Sequence, residues 1–136
     1  MIRLVHSAPN GHNTRTYIWH IADLTAPQPV GAHTHAIPVV DHNLYVHWNH
    51  VYESNFRGGL RILALTDLAS AQLTEVGYFD VWPEDDEAAF FGTWSNYPFF
   101  RSGVVAVSGN SRGLFLVAPT NLPPAHFIHL PLAVGQ

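Results

Sequence analysis

The stretch HNLYVHWNHVYESNFRGGLRILAL, His42 to Leu65, decides the fold. Asn43 to His47 is rich in β-formers, Trp48-Asn49 reads as a tight turn, and His50 to Ser54 reads as the returning strand. Asn55-Phe56-Arg57-Gly58-Gly59 is a second turn, in which glycine permits positive φ without a steric penalty. Leu60 to Leu65 is almost wholly apolar, the pattern of a strand covered on both faces. A further strand, Leu73 to Phe79, ends at Asp80. Four short antiparallel strands in about forty residues make a meander the size of one propeller blade.

The pattern returns at a fixed offset. Val51-Tyr52-Glu53-Ser54 lines up with Val105-Ala106-Val107-Ser108, Gly59-Leu60 with Gly113-Leu114, and Ile62-Leu63 with Leu116-Val117. The same shift sets His42 to Val46 over Asn96 to Phe100. A weaker upstream copy sets Ile18 to Leu24 over Ile62 to Leu68. Repeated meanders predict an all-β chain, a partial β-propeller of about two and a half four-stranded antiparallel blades. The expected division is a remnant and half blade over 1–41, with strands at Thr14–Ile21 and Val30–Thr34. A complete blade follows over 42–80, then an acidic insertion over 81–91 and a last blade with tail over 92–136. Residues 1–13 read as irregular, a helical turn is expected after Pro83, and His126 to Leu130 suggests one more strand. Positive φ is expected at Gly59 and Gly113.

Four segments carry a resemblance. Thr14 to Trp19, Asp41 to Val46, Ser54 to Leu63 and Trp94 to Phe100 together resemble the C-terminal part of LVIVD-repeat proteins of the choice-of-anchor B type. The resemblance runs from about Asn13 to Thr120 and implies a bacterial cell-surface or secreted β-propeller-like protein with no established catalytic activity. Relative to that family, N-terminal blades, an export signal and an anchor are missing from this sequence. An incomplete ring is therefore expected, either self-associating through its open edges or completed by N-terminal blades.

Composition narrows the functional classes. An apolar content of 47% and 136 residues suit one folded domain. There is no cysteine, which excludes disulfides, zinc–thiolate sites and a cysteine nucleophile. The six basic residues are all arginine and scattered, so no basic stripe for nucleic acid exists and no Schiff-base lysine is available. No apolar run is long enough to span a membrane as a helix.

Ten histidines are many for this length. His33-Thr34-His35 alternates, which on a strand puts both imidazoles on one face. With Asp41 and His42 they form a candidate divalent-metal set, against the plainer reading of hydrogen-bonded loop histidines. Glu84 to Glu87 lacks the alternation and glycine of a calcium loop and reads as a solvated acidic segment. Asp41-His42-Asn43 with Ser54 or Ser95 could suggest acid–base chemistry, but no nucleophile elbow surrounds either serine. Such polar residues can equally tie one blade to the next. Asp41, His42, Asn55, Arg57, Asn96 and Tyr97 are candidate partner-binding residues at turns and strand starts, and Trp48 is the tryptophan expected to be exposed. His47 and His50, which flank its turn, are expected to be exposed as well. The leading expectation is a non-catalytic surface or secreted module, needing no cofactor, that binds a protein or carbohydrate. The alternatives are a metal-dependent enzyme or metal-binding protein built around Asp41-His42, and a truncated product without independent function.

Overall fold

His50 to Ser54 is buried along its whole length, and the other strands are laid out around it. A computed structural model describes residues 2–5 and 13–122. Ten strands follow in order: β1 (Ile2–Val5), β2 (Arg15–His20), β3 (Gln28–Thr34), β4 (Asn43–His47), β5 (His50–Ser54), β6 (Leu60–Asp67), β7 (Gln72–Phe79), β8 (Thr93–Tyr97), β9 (Val105–Gly109) and β10 (Gly113–Val117). They form three antiparallel sheets in chain order, β1-β2-β3, β4-β5-β6-β7 and β8-β9-β10. There is no helix among the described residues. The all-β expectation and the bounds of β4 and β5 therefore hold, while β6 runs two residues beyond the expected Leu65 and β7 starts one residue before Leu73.

The repeat is visible in the register. Ser54 pairs with Leu60, and at the same offset Ser108 pairs with Leu114. Ile18 pairs with Gly31 and Trp19 with Pro29, so Val30 is the extra residue of a bulge. Ile62 pairs with Gly77 and Leu63 with Glu75, which makes Val76 the counterpart of Val30. A bulge recurring at one place in two sheets is a property of the repeat unit rather than a local accident. By these registers β1 corresponds to β5 and β9, β2 to β6 and β10, and β3 to β7.

Three expectations need correction. Residues 1–13 are not wholly irregular: Ile2–Val5 pairs antiparallel with β2, giving the first sheet a third strand. The local sequence hid it because the partner strand lies beyond a long connection. Second, Asn96 to Phe100 is not the counterpart of His42 to Val46, because β8 runs from Thr93 to Tyr97. Pro98 has no amide to offer a ladder, and the link to β9 is a loop where β4 and β5 share a two-residue turn. Third, Pro83-Glu84 starts a turn and no helix follows. The carboxylates of Asp80 and Asp85 accept from the amides of Trp82 and Glu87, at 2.7 and 3.0 Å, and such local bonds compete with helix formation. The expected strand at His126 to Leu130 lies outside the described residues.

Two apolar cores lie on the two sides of the central sheet. Ile18 packs with Val51, Leu63, Ala71 and Leu73 on the side of the first sheet. Tyr52, Leu60, Ile62 and Val81 pack with Val105 and Val107 of the third. β5 serves both, its alternate residues facing opposite sheets.

Gly59 and Gly113 both adopt positive φ, 76° and 85°, as the turn reading requires. Their surroundings differ. A Cβ on Gly59 would lie 2.3 Å from the Phe79 carbonyl oxygen, whereas one on Gly113 meets nothing within 4 Å. Gly113→Ala should therefore cost about 1–2 kcal/mol, the left-handed backbone penalty alone. Gly59→Ala should cost distinctly more, because β7 must move. Urea unfolding of the two variants checks the order; equal losses would contradict it.

Candidate functional site

The sheets are joined by polar side chains inserted between them. Glu53, at the centre of β5, is fully buried. Thr16 Oγ1 of β2 donates to Glu53 Oε1 at 2.6 Å, His35 Nε2 lies 2.9 Å from Glu53 Oε2, and Asn55 Nδ2 donates to Oε2 at 3.3 Å. Thr16 Oγ1 also contacts His35 Nε2 at 3.2 Å. Thr14 donates its hydroxyl to the Val39 carbonyl. At the other junction, Asn96 Nδ2 of β8 donates to the Tyr52 carbonyl at 3.1 Å and to Ser54 Oγ at 2.8 Å. Asn43 Nδ2 donates to Ser95 Oγ at 3.1 Å.

These contacts settle where the candidate residues lie. His33 and His35 do share one face, their rings edge-to-face at 5.1 Å. Asp41 is buried on the segment linking the first two sheets. His42 faces the third sheet instead, its ring 4.1 Å from Trp94 and 4.9 Å from Phe56, with Nδ1 against the Trp94 carbonyl. Among the described residues, no three histidines or carboxylates converge in a group that could hold a metal ion. His33, His35, Asp41 and His42 are thus divided between two junctions. Asn55 and Asn96 are buried: Asn55 bonds Glu53 within the central meander, and Asn96 ties the third sheet to it by engaging Ser54. Arg57 pairs with Asp85 and Glu87 and lies over the Trp82 ring at 5.1 Å. Arg112 pairs with Glu84 at 2.6 Å and lies over the same ring at 4.1 Å. Arg112 holds the Glu84 carboxyl below its ordinary range, and the Glu87 amide followed by Arg57 does the same for Asp85. The acidic segment is therefore a clamp on two turns, not a freely solvated run.

Trp48 is exposed, at 44%, on one wall of a groove of about 720 Å³. His47, Trp48, His50 and Tyr52 line one side, and Pro98, Phe99, Phe100 and Arg101 the other. His47 is the hub: its ring lies 5.3 Å from Trp48, 5.0 Å from Phe99 and 6.4 Å from Tyr52. Tyr97 lies just outside, edge-to-face with Phe99 at 5.3 Å and with Phe100 at 4.9 Å. Trp48 is held at a φ of 56°, a left-handed conformation that glycine or asparagine would take more cheaply. His50, expected to be exposed, is buried, because β5 runs beneath the groove floor. Its Nε2 finds no hydrogen-bond partner among the described residues. Sequence reasoning found Trp48 and Tyr97 but missed Glu53 and the Phe99-Phe100 wall. Glu53 could have been noticed as the carboxylate standing where the repeat has Val107. Phe99-Phe100 could have been noticed as aromatics stranded after Pro98, beyond the strand.

The chain matches no family model, no curated protein and no solved structure.

Two measurements follow from this chemistry. Removing one partner from a buried charged cluster leaves the rest unpaired, so Glu53→Ala should cost about 3–5 kcal/mol. A Thr16→Val, Glu53→Gln double-mutant cycle, read by urea unfolding, should show coupling between the two positions; additive losses would contradict the contact. Burial, then nearby His35 or His47, lowers the pKa of His33 and of His50 below 6.5. Both bind protons more readily when unfolded. Their contribution to stability is present above pH 6.5 and lost as pH falls through the lowered folded-state values. The melting temperature should fall between about pH 7.5 and pH 5.5, and less steeply in His50→Gln.

Proposed function

We propose that the chain is a non-catalytic, propeller-like binding module, working at the cell surface or in secreted form, that holds a carbohydrate or protein partner in the groove around Trp48. The observation that carries this reading is the groove itself. Large aromatic side chains line an open cleft, with His47 and Arg101 as polar groups at hand. Strain supports it: a tryptophan is kept at a positive φ in an exposed turn, where the fold alone would favour glycine. The propeller reading is supported by meanders in chain order, by the bulge shared by β3 and β7, and by the resemblance to LVIVD-repeat proteins. In such a module Asn55 supports the buried Glu53 and Asn96 holds the third sheet to the second, while Trp48, Phe99 and Tyr97 meet the partner.

The test is binding of the purified chain to an oligosaccharide array and to bacterial surface-protein extracts, repeated with Trp48→Gly and Phe99→Ala. Trp48→Gly removes the aromatic wall and relieves the turn, so it should weaken binding at least tenfold without lowering the melting temperature. Binding unchanged in both variants would refute the groove as the site.

A further inference from the structure

The groove around Trp48 has a charge pattern unlike that of the whole chain. The sequence holds ten carboxylates and a formal charge of −4. None of the described residues lining the groove is acidic, and Arg101 is among them and exposed. Arg57, Arg61 and Arg112 each pair with a carboxylate and lie over an aromatic ring. Arg101 does neither among the described residues. A tight turn sets its backbone: the Gly103 amide donates to the Phe100 carbonyl at 3.0 Å, and Gly103 takes a φ of 77°.

The floor offers a different polar group. Strand alternation puts His50 and Tyr52 on one face of β5, and Tyr52 packs with Val105 and Val107 of the third sheet. His50 is 3% exposed and lines the groove, and its Nε2 has no hydrogen-bond partner among the described residues. A buried polar atom left unpaired is costly, and a ligand hydroxyl would satisfy it. Burial, then His47, lowers its pKa below 6.5, so at neutral pH the ring offers a hydrogen bond while Arg101 offers charge.

One ligand ring can meet all three groups. A uronic acid has an apolar C–H face for the Trp48 indole, hydroxyls around its edge for an imidazole, and a carboxylate for a guanidinium. An acidic peptide side chain carries its carboxylate on a flexible stem and has neither the flat apolar face nor the hydroxyls. We propose, on the reading that the groove is the binding site, that its ligand is a carboxylate-bearing saccharide: the sugar ring lies against Trp48, its carboxylate on Arg101 and a hydroxyl on His50 Nε2.

The test is calorimetric titration of the full chain with oligosaccharides of galacturonate, mannuronate and glucuronate, each beside its carboxyl-reduced form. At least one uronate should bind about tenfold more tightly than its reduced form, the difference a charge-assisted hydrogen bond supplies. Arg101→Gln should bring that ratio close to one without lowering the melting temperature, since the side chain is exposed and unpaired, and Arg101→Lys should keep part of it. The nitrogen NMR signal of His50 Nε2 should move when the sugar is added. Equal binding of acidic and reduced forms would overturn the proposal and leave the groove as a site for neutral sugars. Binding of none of the sugars, with a hexa-aspartate peptide bound through Arg101, would overturn it in favour of a protein partner. A uronate preference that survives Arg101→Gln, an unmoved His50 signal, or no binding to any of these probes would overturn it too.

Discussion

A carboxylate sits between two sheets where apolar packing would be expected, and the arrangement of the chain depends on satisfying it. Glu53 is fully buried on the central strand. Left unpaired in such a place it would cost several kcal/mol. Thr16 comes from the first sheet, His35 from the segment leaving it, and Asn55 from the turn after β5. The carboxylate is therefore satisfied only when the first sheet, its exit segment and the central sheet are all in position. The second junction places Val107 at the same repeat position and is apolar there. It takes its polar contacts elsewhere, from Asn96 to Tyr52 and Ser54. The two junctions are not interchangeable: the third sheet docked in place of the first would leave Glu53 with Asn55 alone, without Thr16 and His35.

The fold was legible where pattern and turn chemistry coincide. The bounds of β4 and β5 could be read directly, because a two-residue turn and a glycine turn bracket alternating β-formers. The offset between β5-β6 and β9-β10 was legible because register conserves spacing. The offset failed at β8, where a loop replaces a tight turn and spacing no longer transmits register. β1 was illegible since its only described partner lies beyond residues 6–12. Of the site, Trp48 could be found from its turn. The role of His35 could not, because it depends on Glu53 and Thr16 arriving from other strands. For Asn55 and Asn96 the sequence left partner contact and buried hydrogen bonding equally open; both side chains are buried.

The acidic segment shows how a charged surface run can be structural. Glu84, Asp85 and Glu87 reach Arg57, in the turn after β5, and Arg112, in the turn after β9. Both guanidinium groups lie over Trp82. Singly these exposed pairs contribute little. Sharing one ring, they hold equivalent turns of two sheets to one connecting segment, and the ring keeps the like-charged guanidinium groups on a common apolar support.

The bulges at Val30 and Val76 guard two sheet edges against pairing with another chain. Each sits in the outermost strand of its sheet, where an unpaired ladder invites another chain to add alongside. A bulge twists that edge and interrupts its even run of donors and acceptors. Pro29, beside Val30, removes a further donor. The β3 and β7 edges are in this way made poor templates for sideways β-addition, the geometry of fibrils. β10 pairs with β9 without any register shift, so this edge of the third sheet has no such guard, whereas β8 at its other edge carries a bulge at Trp94. Where these bulges sit, the sheets resist pairing with another chain along their flanks.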